Sequence, residues 1–193
     1  MRVLVVGLAV SIFCIPTAVA QRDSPAAEPY NVSDAYEIYS LLLPQEESYG
    51  FSKGTLIIQQ ETVSQPVASC VTADAARRFK DAIADYSRLN EQRWLLQQQF
   101  NIENPYEIAS SDRIESFFKN KGPSGWKDFY KRYPDSGGYI IMSAVGFNKS
   151  KTQAFVYMGS SCGELCGRWL FHLFNKVDDK WKEAPGVSCI TMS

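Results

Sequence analysis

The sequence predicts an α+β fold: an antiparallel β-sheet with helices mainly on one face, the sheet being a C-terminal meander of three to four strands plus one earlier strand. Two observations carry that expectation. Between Tyr139 and Ala184, β-branched and aromatic runs alternate with polar breaks of hairpin length, and connections that short leave only antiparallel pairing between neighbours. The N-terminal half instead repeats its apolar residues at helical spacing.

In the meander, Tyr139 to Phe147 reads as a first strand and Asn148 to Lys151 as a turn. Thr152 to Met158 reads as a second strand, and Arg168 to Lys176 as a third. Between them, Gly159 to Gly167 (GSSCGELCG) is expected to be an irregular loop, because glycine and serine favour turns and positive φ. Val177 to Lys180 is the next turn, and Trp181 opens a fourth strand that Pro185-Gly186 interrupts. In the third strand Trp169, Phe171 and Leu173 share one face, and Leu170, His172 and Phe174 the other. Both sets are largely apolar, so both faces should be covered, one by N-terminal helices and the other by loops or a second chain.

Residues 1–20 read as a signal peptide: Arg2, an apolar run from Val3 to Ile15, then the small-x-small site Ala18-Val19-Ala20. The apolar run is too short for a membrane span, and no later segment is apolar enough for one. Residues 21–29 read as a flexible polar tail and 30–193 as a single domain, long enough to bury about 70% of its unfolded surface. The formal charge of −1 implies no basic face, so nucleic acid is not an expected partner. Periplasmic or secreted localisation follows from the leader.

Along the domain, Ser33 is expected to cap a helix over Asp34 to Leu43 that Pro44 stops. Gly54 to Thr62 reads as the earlier strand. Thr72 should cap a helix from Ala73 to Leu89, with Ala75, Phe79, Ile83 and Tyr86 inward. Trp94 to Leu96 is helical or extended, and Tyr106 to Ala109 a short strand. Two short helices, Ser111 to Lys119 and Ser124 to Lys131, flank Lys121-Gly122-Pro123, and Trp126, Phe129, Tyr130 and Tyr133 form a core corner.

Cys14 leaves with the leader, and Cys70, Cys162, Cys166 and Cys189 remain. An even count in an exported chain points to two disulfides, with three possible pairings. The expected pairing is Cys162–Cys166, closing the glycine segment, and Cys70–Cys189, tying the chain end to the N-terminal half. A zinc site would want paired ligand spacings that Cys70 and Cys189 do not offer, and no other cofactor motif is present.

Motifs that look catalytic fail on context. Gly159 to Gly163 fits G-x-S-x-G, but that elbow needs a helix after the serine and a later histidine with its acid, and a strand follows here. Asp135 to Gly138 echoes D-S-G-G, yet no histidine precedes Ser136, and the stretch reads as a turn feeding a strand. His172 sits among aromatics as a core or interface histidine. Carboxylates such as Glu46-Glu47, Asp178-Asp179, Glu107 and Glu115 are available for general acid–base work, without a spacing that selects a pair. Asn31-Val32-Ser33 and Asn148-Lys149-Ser150 are glycosylation sequons, relevant in a eukaryotic host.

The run Trp126…Phe129-Tyr130…Tyr133-Pro134…Ser136-Gly137-Gly138-Tyr139…Gly146-Phe147-Asn148…Thr152-Gln153-Ala154…Tyr157…Cys162-Gly163…Leu165-Cys166-Gly167 resembles a group of uncharacterised exported bacterial proteins. Tyr36 to Pro44 and Leu56 to Thr62 are similar as well. The resemblance brings no activity, so it assigns no catalytic residue. Such relatives often carry a glycine where Arg168-Trp169 stand here, which makes this segment bulkier.

The functional expectation is a non-enzymatic exported domain that binds a protein or a small ligand through the tip of the 159–167 segment, at Glu164 and Leu165, because loops on a rigid scaffold commonly carry function. The alternative is an exported hydrolase using carboxylates or His172. Non-reducing peptide mapping is expected to find Cys162–Cys166 and Cys70–Cys189 links; free thiols at all four positions would refute the stapled architecture.

Overall fold

The computed structural model describes residues 27–45, 54–67, 71–187 and 191–192. The leader, most of the tail, Cys70 and Cys189 lie outside the described residues. The chain next to those two cysteines is paired: Val71 bridges Val187 antiparallel, and the Thr72 N–H donates to the Gly186 carbonyl at 2.9 Å.

The fold is α+β. In chain order the elements are β1 (Glu28–Pro29), α1 (Ser33–Leu42), β2 (Leu56–Gln59), α2 (Ala73–Arg78), α3 (Lys80–Leu89), β3 (Trp94–Leu95) and β4 (Tyr106–Ala109). There follow α4 (Ser111–Phe118), α5 (Ser124–Arg132), β5 (Tyr139–Met142), β6 (Gly146–Phe147), β7 (Gln153–Gly163), β8 (Cys166–Val177), β9 (Lys180–Ala184) and β10 (Thr191–Met192). One sheet runs β10-β8-β7-β5-β2-β4, with β6 also on β7 and β9 also on β8; β1 and β3 pair separately. No helix among the described residues is long and apolar enough to cross a membrane.

The meander is present, but the sheet is mixed rather than antiparallel throughout. β2 runs parallel to both β4 and β5, whereas β5, β7, β8 and β9 pair antiparallel in sequence. The parallel pairs are reached through long crossovers that carry α2 and α3, then α4 and α5. Each strand divides its side chains between cores. Ile58, Ile140, Met142, Val156 and Phe174 share a cluster with Ile38, Tyr39 and Leu42 of α1. Phe155, Tyr157, Phe171 and Leu173 share one with Ala75, Phe79, Ala82 and Tyr86 of α2 and α3. Ile57 and Ala109 join Ile114, Phe129 and Tyr133 of the α4–α5 region. Phe174 thus shares a buried cluster with residues of α1, and Phe171 one with residues of α2 and α3.

The Gly159–Gly167 segment is strand, not irregular loop. β7 and β8 continue through it as one hairpin, and only Glu164 and Leu165 turn. The sequence misleads because Gly159, Gly163 and Gly167 are not used for positive φ. Side chains at Gly159 and Gly167 would collide with the Trp169 indole, which lies against both. Glycine here provides room for a neighbour.

The expected strand Tyr139 to Phe147 is broken into β5 and β6 by Ser143–Val145. That break is buried, so its backbone needs partners inside the protein. Asn90, at the end of α3, supplies two of them: its Oδ1 accepts the Ala144 N–H at 2.9 Å, and its Nδ2 donates to the Ala144 carbonyl at 3.1 Å. The Tyr39 hydroxyl donates to the Ser143 carbonyl at 2.7 Å, and the Tyr30 hydroxyl accepts the Val145 N–H at 3.0 Å. The Ser143 Oγ accepts the Tyr157 N–H at 2.9 Å. Burial pushes the Tyr30 and Tyr39 phenols well above their ordinary range, so both remain neutral hydroxyls. Beyond the break, Gly146 lies so close to the α3 backbone at Ala82 and Tyr86 that a side chain would not fit.

Two helix starts deserve comment. Thr72 caps as expected, its Oγ1 accepting the Ala75 N–H at 3.3 Å. Ser33 does not cap: it is the first residue of α1, and Val32 precedes it without a side-chain cap. The expected helix over 73–89 bends at Phe79, but hydrogen bonds run through the bend, from Phe79 to Ala75 and from Ile83 to Phe79.

Asn90→Ala would leave the Ala144 N–H buried without its partner, at roughly 1–3 kcal/mol for an unsatisfied group, while the Ala144 carbonyl keeps the Ser143 hydroxyl at 3.0 Å. A loss of about 1–3 kcal/mol in urea unfolding with an unchanged m-value is the expected outcome; a loss below about 0.5 kcal/mol would refute the clamp.

Candidate functional site

The hairpin tip is built from both strands. Gly163 pairs with Cys166, so Glu164 and Leu165 form a two-residue turn, with a register shift between Ser161 and Gly163 just below it. Cys162 and Cys166 form a disulfide across the hairpin, with their Cα atoms 5.0 Å apart. The expected close link is therefore present, and it closes a hairpin rather than an open loop.

The neck of the hairpin is gripped from α5. The Tyr130 hydroxyl donates to the Cys162 carbonyl at 2.7 Å. Trp126 stacks on Tyr130 and on Tyr139, with centroids 5.8 and 5.9 Å away. Gly138 lies against the Ser161 backbone, where a side chain would clash. The aromatic group singled out in the sequence thus packs as a core corner and also braces the hairpin. At the end of this braced element Leu165 is 87% exposed, and Glu164 beside it is exposed too. A leucine that open, at the end of a fixed scaffold, is apolar area available to a partner.

His172 finds an acid. Its Nδ1 lies 2.7 Å from Glu183 Oε1, across the β8–β9 pair. The bond to His172 is the main influence that holds the Glu183 carboxyl below its usual range, against partial burial. Yet His172 is 2% exposed and lines neither cavity described below. A general base must come within hydrogen-bond reach of its substrate, and this geometry offers no approach. The G-x-S-x-G stretch lies inside β7, and a turn and β8 follow it, as the sequence context suggests.

Two concave regions bear on function. The smaller, about 140 Å³, lies beside Glu107, which Arg132 and Arg113 approach at 3.5 and 3.9 Å. The larger is a groove of about 510 Å³. Glu37, Ser40 and Leu41 of α1 form one wall. Gln99 and Asn101 form another. Asp179, Lys180 and Trp181, from the β8–β9 turn, close the third side. Asp179 belongs to a carboxylate pair noted in the sequence; Glu37 carries no such mark, because a solvent-facing glutamate on a helix is ordinary. The groove joins segments more than a hundred residues apart, and no local pattern could reveal it.

An ion-pair cluster fixes the groove from behind. Asp34, in the first turn of α1, receives Lys176 at 2.8 Å and Lys151 at 3.3 Å. Burial raises the Asp34 carboxyl, but the two lysines outweigh it and hold the group below its ordinary range. The Lys176 ammonium also lies over the Trp181 ring, 5.1 Å from its centroid.

Comparison with known proteins adds no assignment: no protein-family model, no curated protein and no solved structure matches the chain.

Glu183 yields a pH-dependent expectation. Its folded-state affinity for protons is depressed, so its contribution is present above the unfolded carboxylate range, near pH 4.3, and is lost as pH falls through the lower folded value. Glu183→Gln should therefore be less stable than the wild type near neutrality, and the gap should narrow as pH falls below about 4. A gap that is constant from pH 7 to pH 3 would contradict the His172–Glu183 bond.

Proposed function

We propose that the chain is an exported, disulfide-stabilised binding domain that engages a partner protein, without catalysis, through the hairpin tip at Glu164 and Leu165. The observation that carries the reading is Leu165: 87% exposed, at a two-residue turn pinned by Cys162–Cys166 and braced by Tyr130. A rigid apolar anchor loses little conformational freedom on docking, which favours affinity. Glu164 adds a charge at the same tip and would select a partner with a basic or hydrogen-bond-donating surround.

Export is read from residues 1–20, and an oxidising compartment would keep the staple closed. In this reading α2 to α5 form one layer over the sheet, α1 covers the other face, and the hairpin end projects past both as the recognition element. His172, buried against Glu183, serves the packing of β8 on β9.

A photoreactive residue at position 165, with one at Lys149 as control, tests the tip in cells expressing the full chain. The expected result is a discrete cross-linked partner from position 165 alone, competed by excess wild-type chain and not by Leu165→Ser. Equal labelling from both positions, or competition by Leu165→Ser as effective as wild type, would end the reading.

A further inference from the structure

From the groove between α1 and the β8–β9 turn we infer a second binding site, distinct from the hairpin tip, for a short neutral oligosaccharide. Its volume of about 510 Å³ falls within the range of small-molecule sites, about 300–1,000 Å³. Its lining includes apolar area from the half-exposed Leu41 and the small exposed parts of Tyr36 and Trp181.

The polar groups of the lining are rich in acceptors. Glu37 and Asp179 both line the groove, and neither forms an ion pair among the described residues. Asn101 adds an amide, and Gln99, whose Nε2 is committed to Asn31, presents its carbonyl. Lys180 is the one cation on the lining. Two carboxylates against one ammonium disfavour an anionic ligand. A ligand carrying many hydroxyl donors and an apolar ring face suits the combination, and that is the chemistry of a neutral sugar.

The site is held before any ligand arrives. Ser40 Oγ accepts the Asn101 N–H at 2.9 Å and donates to the Tyr36 carbonyl at 2.6 Å. The Tyr36 hydroxyl accepts the Gln97 N–H at 2.7 Å and donates to the Tyr30 carbonyl at 2.8 Å. These bonds join the wall at 99–101 to α1, while the Asp34 cluster joins α1 to β8. Trp181, 5% exposed, also carries a buried indole N–H with no acceptor among the described residues.

The test uses the full chain and a panel of neutral oligosaccharides, maltotriose, cellotriose, mannotriose and chitotriose, read by saturation-transfer NMR and by calorimetry. At least one should bind. Glu37→Gln changes a solvent-facing helix residue to its isostere. Asp179→Asn suits the positive φ of 57° at that position, so the turn survives the loss of charge. Each variant, and Asn101→Ala, should weaken binding at least tenfold, while Leu165→Ser should leave it unchanged. No transfer to any neutral sugar at millimolar concentration would overturn the assignment. So would affinity undiminished in all three groove variants, or a preference for uronate or sulfated sugars over neutral ones. None of these outcomes bears on the hairpin tip, which stands or falls by its own cross-linking result.

Discussion

The structure depends on how it accommodates three buried residues, Ser143 to Val145, where the central strand leaves the ladder. An interior backbone that stops pairing with its neighbour loses partners it cannot recover from water. Here the replacements are side chains from distant parts of the chain: Asn90 from the end of α3, Tyr39 from α1, and Tyr30 from the segment before it. One break therefore sets the position of two helices. Because the hydrogen bonds are buried, each is strengthened by the low local dielectric, and each would be costly to leave half-made. The close seating of α3 on Gly146 is part of the same arrangement.

Much of this fold was legible in the sequence. The meander, the helical stripes and the Thr72 cap come from local periodicity and local chemistry, and the structure contains them. What was hidden depends on tertiary context. Parallel pairing of β2 with β4 and β5 leaves no short-range signature. The glycines of the 159–167 segment suggested a loop, but their role is to admit Trp169, which a local reading does not weigh. Tyr139 to Phe147 looked continuous because Ser143 and Ala144 are unremarkable in a strand; only Asn90, Tyr30 and Tyr39 make the break tolerable.

The sites divide along the same line. Glu164 and Leu165 could be placed at a tip from the cysteine spacing alone, since five residues with a link at each end leave little choice of geometry. The groove was not legible. Glu37, Asn101 and Asp179 are ordinary surface residues until the Asp34 cluster and the Ser40 hydrogen bonds bring their segments together. His172 was read as a packed histidine, and its burial against Glu183 agrees with that environment.

The order of the strands has a consequence for biosynthesis. β2 is made early, yet the two strands that flank it, β4 and β5, emerge some fifty and eighty residues later. Until then a strand that ends fully buried, Leu56 to Gln59, has both edges open, and open edges invite pairing with foreign chains. Loop closure over such separations is slow compared with forming a hairpin such as β7–β8. The nascent chain thus passes through an interval in which its future sheet centre is unprotected, and the speed of synthesis past Met142 sets how long that exposure lasts.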